Sequence, residues 1–367
     1  VKEKKQPHIM ISGYYGFGNA GDEAILASIV KQLKKKIPDV KITVLSESPA
    51  ATAAEFDVES HNRKDMFGIM RLMGKTDLLI SGGGGLIQDS TGFSTVTYYL
   101  GIVQMAKLMG KKVMFYAQGL GPLNLSKSIQ FARFVMNQVD LITFRDEDSV
   151  RLARDIGVKK PPIHVTADPV FALTAPGDDI LDPIVAAEKF EPGVFRLGIS
   201  VRPWKTDCDY IDCIAKTADF FAKEKKAMIY LFPFQDSQDL EVCKKIQRKM
   251  DNTARLVLRK YPVDVMLGLM GRMDMVLGMR LHSLIFSVVQ NVPAGGISYD
   301  PKVAALCDIA GLPHLKLDVL TCDSFLELAL SVYNKKDDIK WNLPAKSNVL
   351  KEKAEKNTDL LLECLYS

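Results

Sequence analysis

From His8 onward the chain repeats one phrase. A short apolar, β-rich run is followed by a glycine or polar turn, and then by a segment whose apolar residues recur at helical spacing. The runs are HIMIS, KITVLS, DLLISGG, VMFYAQG, LITFR and IHVTADPV; EAILASIVKQLKKKI and SVRLARDIG are two of the helical segments. The runs are continuously apolar, so each strand is covered on both faces, as in a parallel sheet between helices. From Thr174 to Gly193 the phrase breaks into TAPGDDILDPIVAAEKFEPG, rich in proline, glycine and acids, which reads as a linker. The phrase then restarts with FRLGISVR, AMIYLFPF, ARLVLR, MDMVLGM, PAGGISY and HLKLDV. The pattern predicts an α/β fold of two doubly wound, Rossmann-like domains, 1–174 and 194–345. A final helix over 346–367 is expected to pack back on the first domain. KTDLLISGGGGL and RMDMVLGMRLHSL each place an Asp before an apolar strand that ends in glycine. That correspondence fits either an internal duplication or the shared grammar of α/β units.

Composition narrows the function classes. Of 367 residues, 47% are hydrophobic and 25% charged, and the formal charge of +4 is spread out, with no polybasic arm. This gives no support to nucleic-acid binding. No apolar run approaches the length that spans a bilayer, and VKEKKQPHIM lacks an apolar leader core, so a cytoplasmic protein is expected. The six cysteines show no paired spacing and are expected to be reduced and structural. No cluster has metal-ligand rhythm, so neither a metal nor a cofactor is expected.

The turn GYYGFGNAGD contains the letters G-x-G-x-x-G between a strand and a helix, the arrangement of a dinucleotide site. However, the helix opens on Asp22 and Glu23, placing carboxylates where a pyrophosphate would need the positive helix end to itself. Asn19, Asp22 and Glu23 instead suit hydroxyl or acetamido groups of a sugar, with helix capping by Asp22 as the plain alternative. In SGGGGLIQDS the glycines, Gly83 and Gly84 among them, allow backbone to approach a ligand closely, and packing alone does not readily explain four in a row.

Taken in order, GYYGFGNAGDEAIL, DLLISGGGGLIQD, QGLGP, TFRDEDS, TADPVF, SVRPW, FPFQDSQD and GMRLHSLIFS resemble the polysaccharide pyruvyl transferase family over about Ile9 to Lys302. They are most similar to the bacterial branch acting on a secondary cell-wall polymer precursor, the polymer later recognised by surface-layer proteins. The resemblance implies a GT-B-like arrangement with an interdomain cleft; the acids and amide of the opening turn point to the acceptor side for the first domain, with the donor expected on the second. It implies phosphoenolpyruvate as donor and N-acetylmannosamine of a lipid-diphosphate-linked disaccharide as acceptor. The implied product is a 4,6-ketal, with release of phosphate. A lipid-linked acceptor would hold the enzyme at the inner face of the membrane.

That chemistry needs an acid for the methylene carbon of phosphoenolpyruvate and cations for its phosphate and carboxylate. His282, just past MDMVLGM, is the candidate acid. Arg145, at the end of LITFR, suits a bidentate clamp, with an ion pair to Asp146 or Asp148 as the plain alternative. Lys302 offers a point charge after SYDP. Arg202, Arg280 and Gln235 complete the expected substrate-binding set with Asn19, Asp22, Gly83 and Gly84, and Trp204 offers a stacking face or core packing. MFGIMRLMGK mixes apolar and basic residues at near-helical spacing; it suits a sheet-covering helix or contact with an anionic membrane surface. A nucleotide-sugar glycosyltransferase of the same architecture is the competing function.

Overall fold

The computed structural model describes residues 6–90, 92–206, 208–257 and 261–367. The chain divides into two compact units: one takes the chain up to Phe17, Asp22–Leu173 and Leu350–Ser367, the other Gly18–Gly21 and Thr174–Val349.

The first unit is built on a parallel sheet of β1 (His8–Ser12), β2 (Lys41–Ser46), β3 (Glu59–Asn62), β4 (Leu78–Ser81), β5 (Gly84–Ile87), β6 (Lys112–Leu120), β7 (Leu141–Phe144) and β8 (Ile163–Val165). Its order is β3-β2-β1-β4-β6-β7-β8, with β5 paired to β6. Every residue of β1, β4 and β7 is buried, as a sheet covered on both faces requires. Met10, Leu79, Phe115, Ile142 and Phe144 meet Ile69, Val103, Val135 and Val150 in one core. β3, sequence ESHN, is half-exposed and has no apolar run to announce it.

The second unit carries β9 (Arg196–Ser200), β10 (Met228–Leu231), β11 (Ala254–Leu256), β12 (Met275–Gly278), β13 (Ala294–Ser298) and β14 (His314–Lys316), in the order β11-β10-β9-β12-β13-β14. All its pairs are parallel. Counted from its own first strand this is 3-2-1-4-5-6, the doubly wound order in which ligands bind outside the carboxyl ends of the strands. The end of the expected run ARLVLR, Leu258 and Arg259, lies outside the described residues.

Three expectations are corrected. The stretch read as a linker holds a helix, Asp178–Ala187, with two acids in its first turn and Leu181 buried. A Cβ on Gly268 would lie 2.6 Å from that leucine, so the segment packs on its unit despite its loop-like composition. The last helix begins at Lys336, not 346, and runs to Tyr366 through Pro344. Cys213 and Cys322, expected to be reduced, form a disulfide across 109 residues of sequence, a separation at which spacing carries no pairing signal. The other four cysteines are free.

Beyond Leu350 the last helix belongs to the first unit, and a buried polar network ties it there. Asn357, fully buried, accepts from Thr143 Oγ1 at 2.6 Å and Thr166 Oγ1 at 2.8 Å, and donates to the Ala167 carbonyl at 3.2 Å. Thr358 bonds the Tyr116 hydroxyl at 2.7 Å.

Candidate functional site

In the first unit, polar groups collect at the carboxyl ends of β1, β4, β6 and β7. Arg145 follows β7 directly, and its side chain is only 9% exposed. Its Nη1 donates to Asp168 Oδ2 at 2.7 Å, while Asp146 lies 3.9 Å from Nε, so the main partner is a carboxylate 23 residues away. Asp148 is taken by Arg151. Burial works against the Arg145 charge, but Asp168, Asp146 and Asp22 outweigh it and hold the guanidinium above its ordinary pKa. A Cβ on Gly119 would lie 3.2 Å from Nε and Nη2, so glycine lets the guanidinium approach β6 closely. Asp22 is half-buried in the first turn of the helix Ala20–Lys36, and its Oδ1 would be 3.1 Å from a Cβ on Gly84. Neighbouring Glu23 accepts the Gly16 N–H at 2.8 Å and so fixes the glycine turn. Tyr15 is fully buried; desolvation first, then Asp22 and Glu23, push its phenol well above the usual value. Ser12 Oγ, Tyr15 Oη and Gln118 Nε2 are buried without a hydrogen-bond partner, which makes this end of the sheet its polar, unsatisfied end.

The glycine quartet has a packing account that the sequence did not suggest. A side chain on Gly82 would meet the Tyr15 hydroxyl at 2.1 Å and one on Gly83 would meet Ile25 at 3.0 Å, while Gly84 has φ +93°. Gly83 and Gly84 are buried; Gly85 is the exposed member.

Sequence reasoning missed an aromatic group beside the turn. Tyr14 and Phe17 stack with centroids 4.0 Å apart and planes 5° from parallel. The Arg63 guanidinium lies 5.0 Å from the Phe17 ring and 4.2 Å from that of Tyr98, whose hydroxyl donates to the Arg63 carbonyl at 2.9 Å. Burial raises the neighbouring Tyr99 phenol to about 12. The only sequence trace was the density of rings in GYYGF and TYY; the arginine between them is far away in the chain.

In the second unit, His282 stands in the first turn of the helix Leu281–Val289, directly after β12. Its ring packs on Gly21, where a Cβ would lie 2.2 Å from Nδ1. The backbone holds that approach: Ala20 N donates to the Phe234 carbonyl at 2.7 Å, and Asn19 forms an isolated bridge with Gln235. The Asn19 side chain accepts from Gly21 N at 3.0 Å, so Asn19 makes the capping contact considered above for Asp22. Arg280 is buried and forms a two-point pair with Asp239, Nε to Oδ2 at 3.0 Å and Nη2 to Oδ1 at 2.5 Å, with Gln235 Oε1 at 3.4 Å. Asp239 also accepts the backbone N–H groups of Phe234 and Gln235. Arg280 therefore braces the FPFQ turn through Asp239.

Arg202 donates from Nη1 to the Tyr299 hydroxyl at 3.1 Å and lies 5.0 Å from that ring and 5.4 Å from Trp204. Trp204 is 39% exposed, so its ring is a surface feature and not core packing. Lys302, half-exposed at the start of the helix Pro301–Ala310, pairs with Asp300 at 3.1 Å. The second unit thus groups His282 with Asn19, Gln235 and Arg280, and Arg202 with Tyr299 close in sequence to Lys302. Arg145, Asp22, Gly83 and Gly84 belong to the first. Among the described residues no three His, Cys, Asp or Glu side chains form a group able to hold a metal ion.

Residues 19–301 match the family described as polysaccharide pyruvyl transferase. The amylovoran biosynthesis protein AmsJ of Erwinia amylovora is 22% identical over 365 residues, covering 85% of this chain and 88% of that protein. Among solved structures, the UDP-GlcNAc 2-epimerase of Neisseria meningitidis, bound to UDP-GlcNAc, superposes with a TM-score of 0.68 at 12% identity, over 97% of this chain and 100% of that one. HepE of Anabaena, in complex with UDP and glucose, gives 0.63 at 12% identity, over 98% and 100%. At such identities the likeness establishes the fold: two Rossmann-like domains of the GT-B class.

Proposed function

Since the chain belongs to the polysaccharide pyruvyl transferase family, we propose that it moves pyruvate from phosphoenolpyruvate onto a sugar of a polysaccharide precursor, closing a cyclic ketal and releasing phosphate. The match over residues 19–301 carries this reading, because it spans the candidate residues of both units except Tyr14 and Phe17, which precede it, and Lys302, which lies one residue beyond it. The finer proposal is a lipid-diphosphate-linked disaccharide whose N-acetylmannosamine receives a 4,6-ketal, for a cell-wall polymer that anchors a surface layer. The amylovoran relative supports the broader class, polysaccharide biosynthesis.

His282 delivers a proton to the methylene carbon of the donor, leaving the adjacent carbon electrophilic. One sugar hydroxyl adds there and loses its proton. Phosphate departs with the enol oxygen, and the second hydroxyl closes the ring as its own proton leaves. One donor and one diol therefore give one ketal and one phosphate. Lys302 and Arg202 are proposed to hold the donor's anionic groups. Arg145, oriented by Asp168, is proposed as a further donor clamp, and Arg280 supports His282 from the adjacent position. Asp22 and Asn19 are assigned to acceptor hydroxyls, and the Tyr14–Phe17 stack beside Arg63 suits a sugar face next to a phosphate.

The test is an assay with purified protein, phosphoenolpyruvate and the lipid-diphosphate-linked disaccharide. The expected product is heavier by one pyruvyl ketal, with one phosphate released per ketal, and a folded His282→Ala protein turns over about 10²–10⁴-fold more slowly. Product that forms only with a nucleotide sugar overturns the reading in favour of a glycosyltransferase.

A further inference from the structure

In the first unit the helix Met66–Met73 has two unlike faces. Ile69 and Met73 are buried, whereas Phe67 is 83% exposed, Met70 47% and Met66 43%. Phe67, Met70, Arg71 and Gly74 follow the i, i+3, i+4, i+7 spacing of a single stripe. At Gly74 the stripe meets the end of the helix Phe93–Leu108. Lys111 Nζ donates to the Gly74 carbonyl at 2.9 Å, and a Cβ on Gly74 would lie 3.9 Å from Met109 Cε. Leu108 is 79% exposed there and Met109 36%. The apolar surface therefore continues from one helix to the next.

Cations outnumber acids beside this surface. Lys64, Arg71 and Lys75 flank the helix; Lys64 pairs with Glu47 at 2.6 Å, while Asp65 caps the helix by accepting the Gly68 N–H at 3.0 Å and also pairs with His61. Lys107 and Lys111 lie at the Leu108 end, where Asp140 pairs with Lys107 at 2.7 Å. Arg71 and Lys75 are exposed.

We propose that this face docks the protein peripherally on an anionic lipid surface. Phenylalanine, methionine and leucine enter the boundary between headgroups and acyl chains, and the cationic rim is drawn to anionic headgroups. The rim argues against a second copy as occupant, because a symmetric pairing sets like charges against each other. An eight-residue helix of about 12 Å offers little apolar area, so binding is reversible and depends on the rim. Among the described residues no helix is long and apolar enough to cross a membrane, so this contact would hold the chain to the surface without a span. The inference is independent of the reaction proposed above, and its test measures no turnover.

The experiment is co-sedimentation of the full chain with phosphatidylcholine vesicles, with and without phosphatidylglycerol, at low and raised salt. Expected is partition into the anionic vesicles only, weakening as salt rises. The pair Phe67→Ser/Met70→Ser and, separately, the pair Arg71→Glu/Lys75→Glu should each lower that partition roughly tenfold or more, with unchanged thermal melting because the four positions are exposed. Two independent pairs keep the test open if one folds poorly. No partition into anionic vesicles, or partition that both pairs leave intact, overturns the proposal. So does a concentration-dependent dimer that Phe67→Ser dissolves, since the face would then serve self-association.

Discussion

His282 shows how a single residue is held by chemistry the chain does not announce locally. A glycine 261 positions earlier makes room for its ring, and Asn19, Ala20, Phe234 and Gln235 hold that glycine through backbone contacts. His282 stands out in GMRLHS by its position just after a strand; its packing partner does not, because no local pattern links Gly21 to residue 282. The prediction at this scale is Gly21→Ala. Alanine is the better helix former, by up to about 1 kcal/mol, which offsets part of the cost of the clash and keeps the protein folded, as thermal melting should show. The added Cβ must still displace the imidazole, and turnover in the ketal assay should fall about a hundredfold or more, approaching that of His282→Ala. Unchanged turnover in Gly21→Ala would mean that the ring's place against Gly21 is not its working position.

Among the elements, strands with continuous apolar sequence were readable and those without it were not. HIMIS and KITVLS match β1 and β2 residue for residue, because burial makes the positions between their polar ends apolar, with Thr43 the one exception. ESHN could not be read because an edge strand tolerates polar residues on both faces. β5 was hidden in the glycine quartet, where low β-propensity masks a short strand. The helix Asp178–Ala187 was hidden by Pro183 and its acids, although those acids suit a helix N-terminus. The last helix poses the opposite case: its existence over 346–367 was expected, although it begins at Lys336, but its anchor is polar. Asn357→Ala removes one acceptor from two buried threonine hydroxyls and one donor from the Ala167 carbonyl. Thr143 Oγ1 and Thr166 Oγ1 keep the Phe115 and Phe144 carbonyls as acceptors, at 3.3 and 3.2 Å, so the Ala167 carbonyl is the group left short of a partner, at a cost of about 1–3 kcal/mol. Urea unfolding of Asn357→Ala should therefore show a loss of about 1–3 kcal/mol. A loss within a few tenths of a kcal/mol would show that the network adds nothing to holding the helix.

For the whole molecule, the two sheets share the order that begins 3-2-1-4, and the repeated Asp before the fourth strand has the same task in each. Asp77 exchanges with the first residue of β1: its carboxylate accepts the His8 N–H at 2.8 Å, and its own N–H donates to the His8 carbonyl at 2.8 Å. Asp274 does the same with the first residue of β9, accepting from Arg196 N at 2.8 Å and donating to the Arg196 carbonyl at 2.9 Å. The correspondence between KTDLLISGGGGL and RMDMVLGMRLHSL thus has a physical basis, a carboxylate closing the start of the central strand pair, whichever history produced it. Each unit has its own sheet and buried residues, so the two carboxylates should report on separate cooperative bodies. Asp77→Ala and Asp274→Ala each leave a strand N–H without its charged acceptor, a loss of about 1–3 kcal/mol. In calorimetry Asp77→Ala should lower the midpoint of one transition and Asp274→Ala that of another, and hydrogen exchange should place the first in residues 22–173 and the second in 174–349. A single transition shifted equally by either change, with exchange accelerated throughout, would show instead that the units unfold as one body.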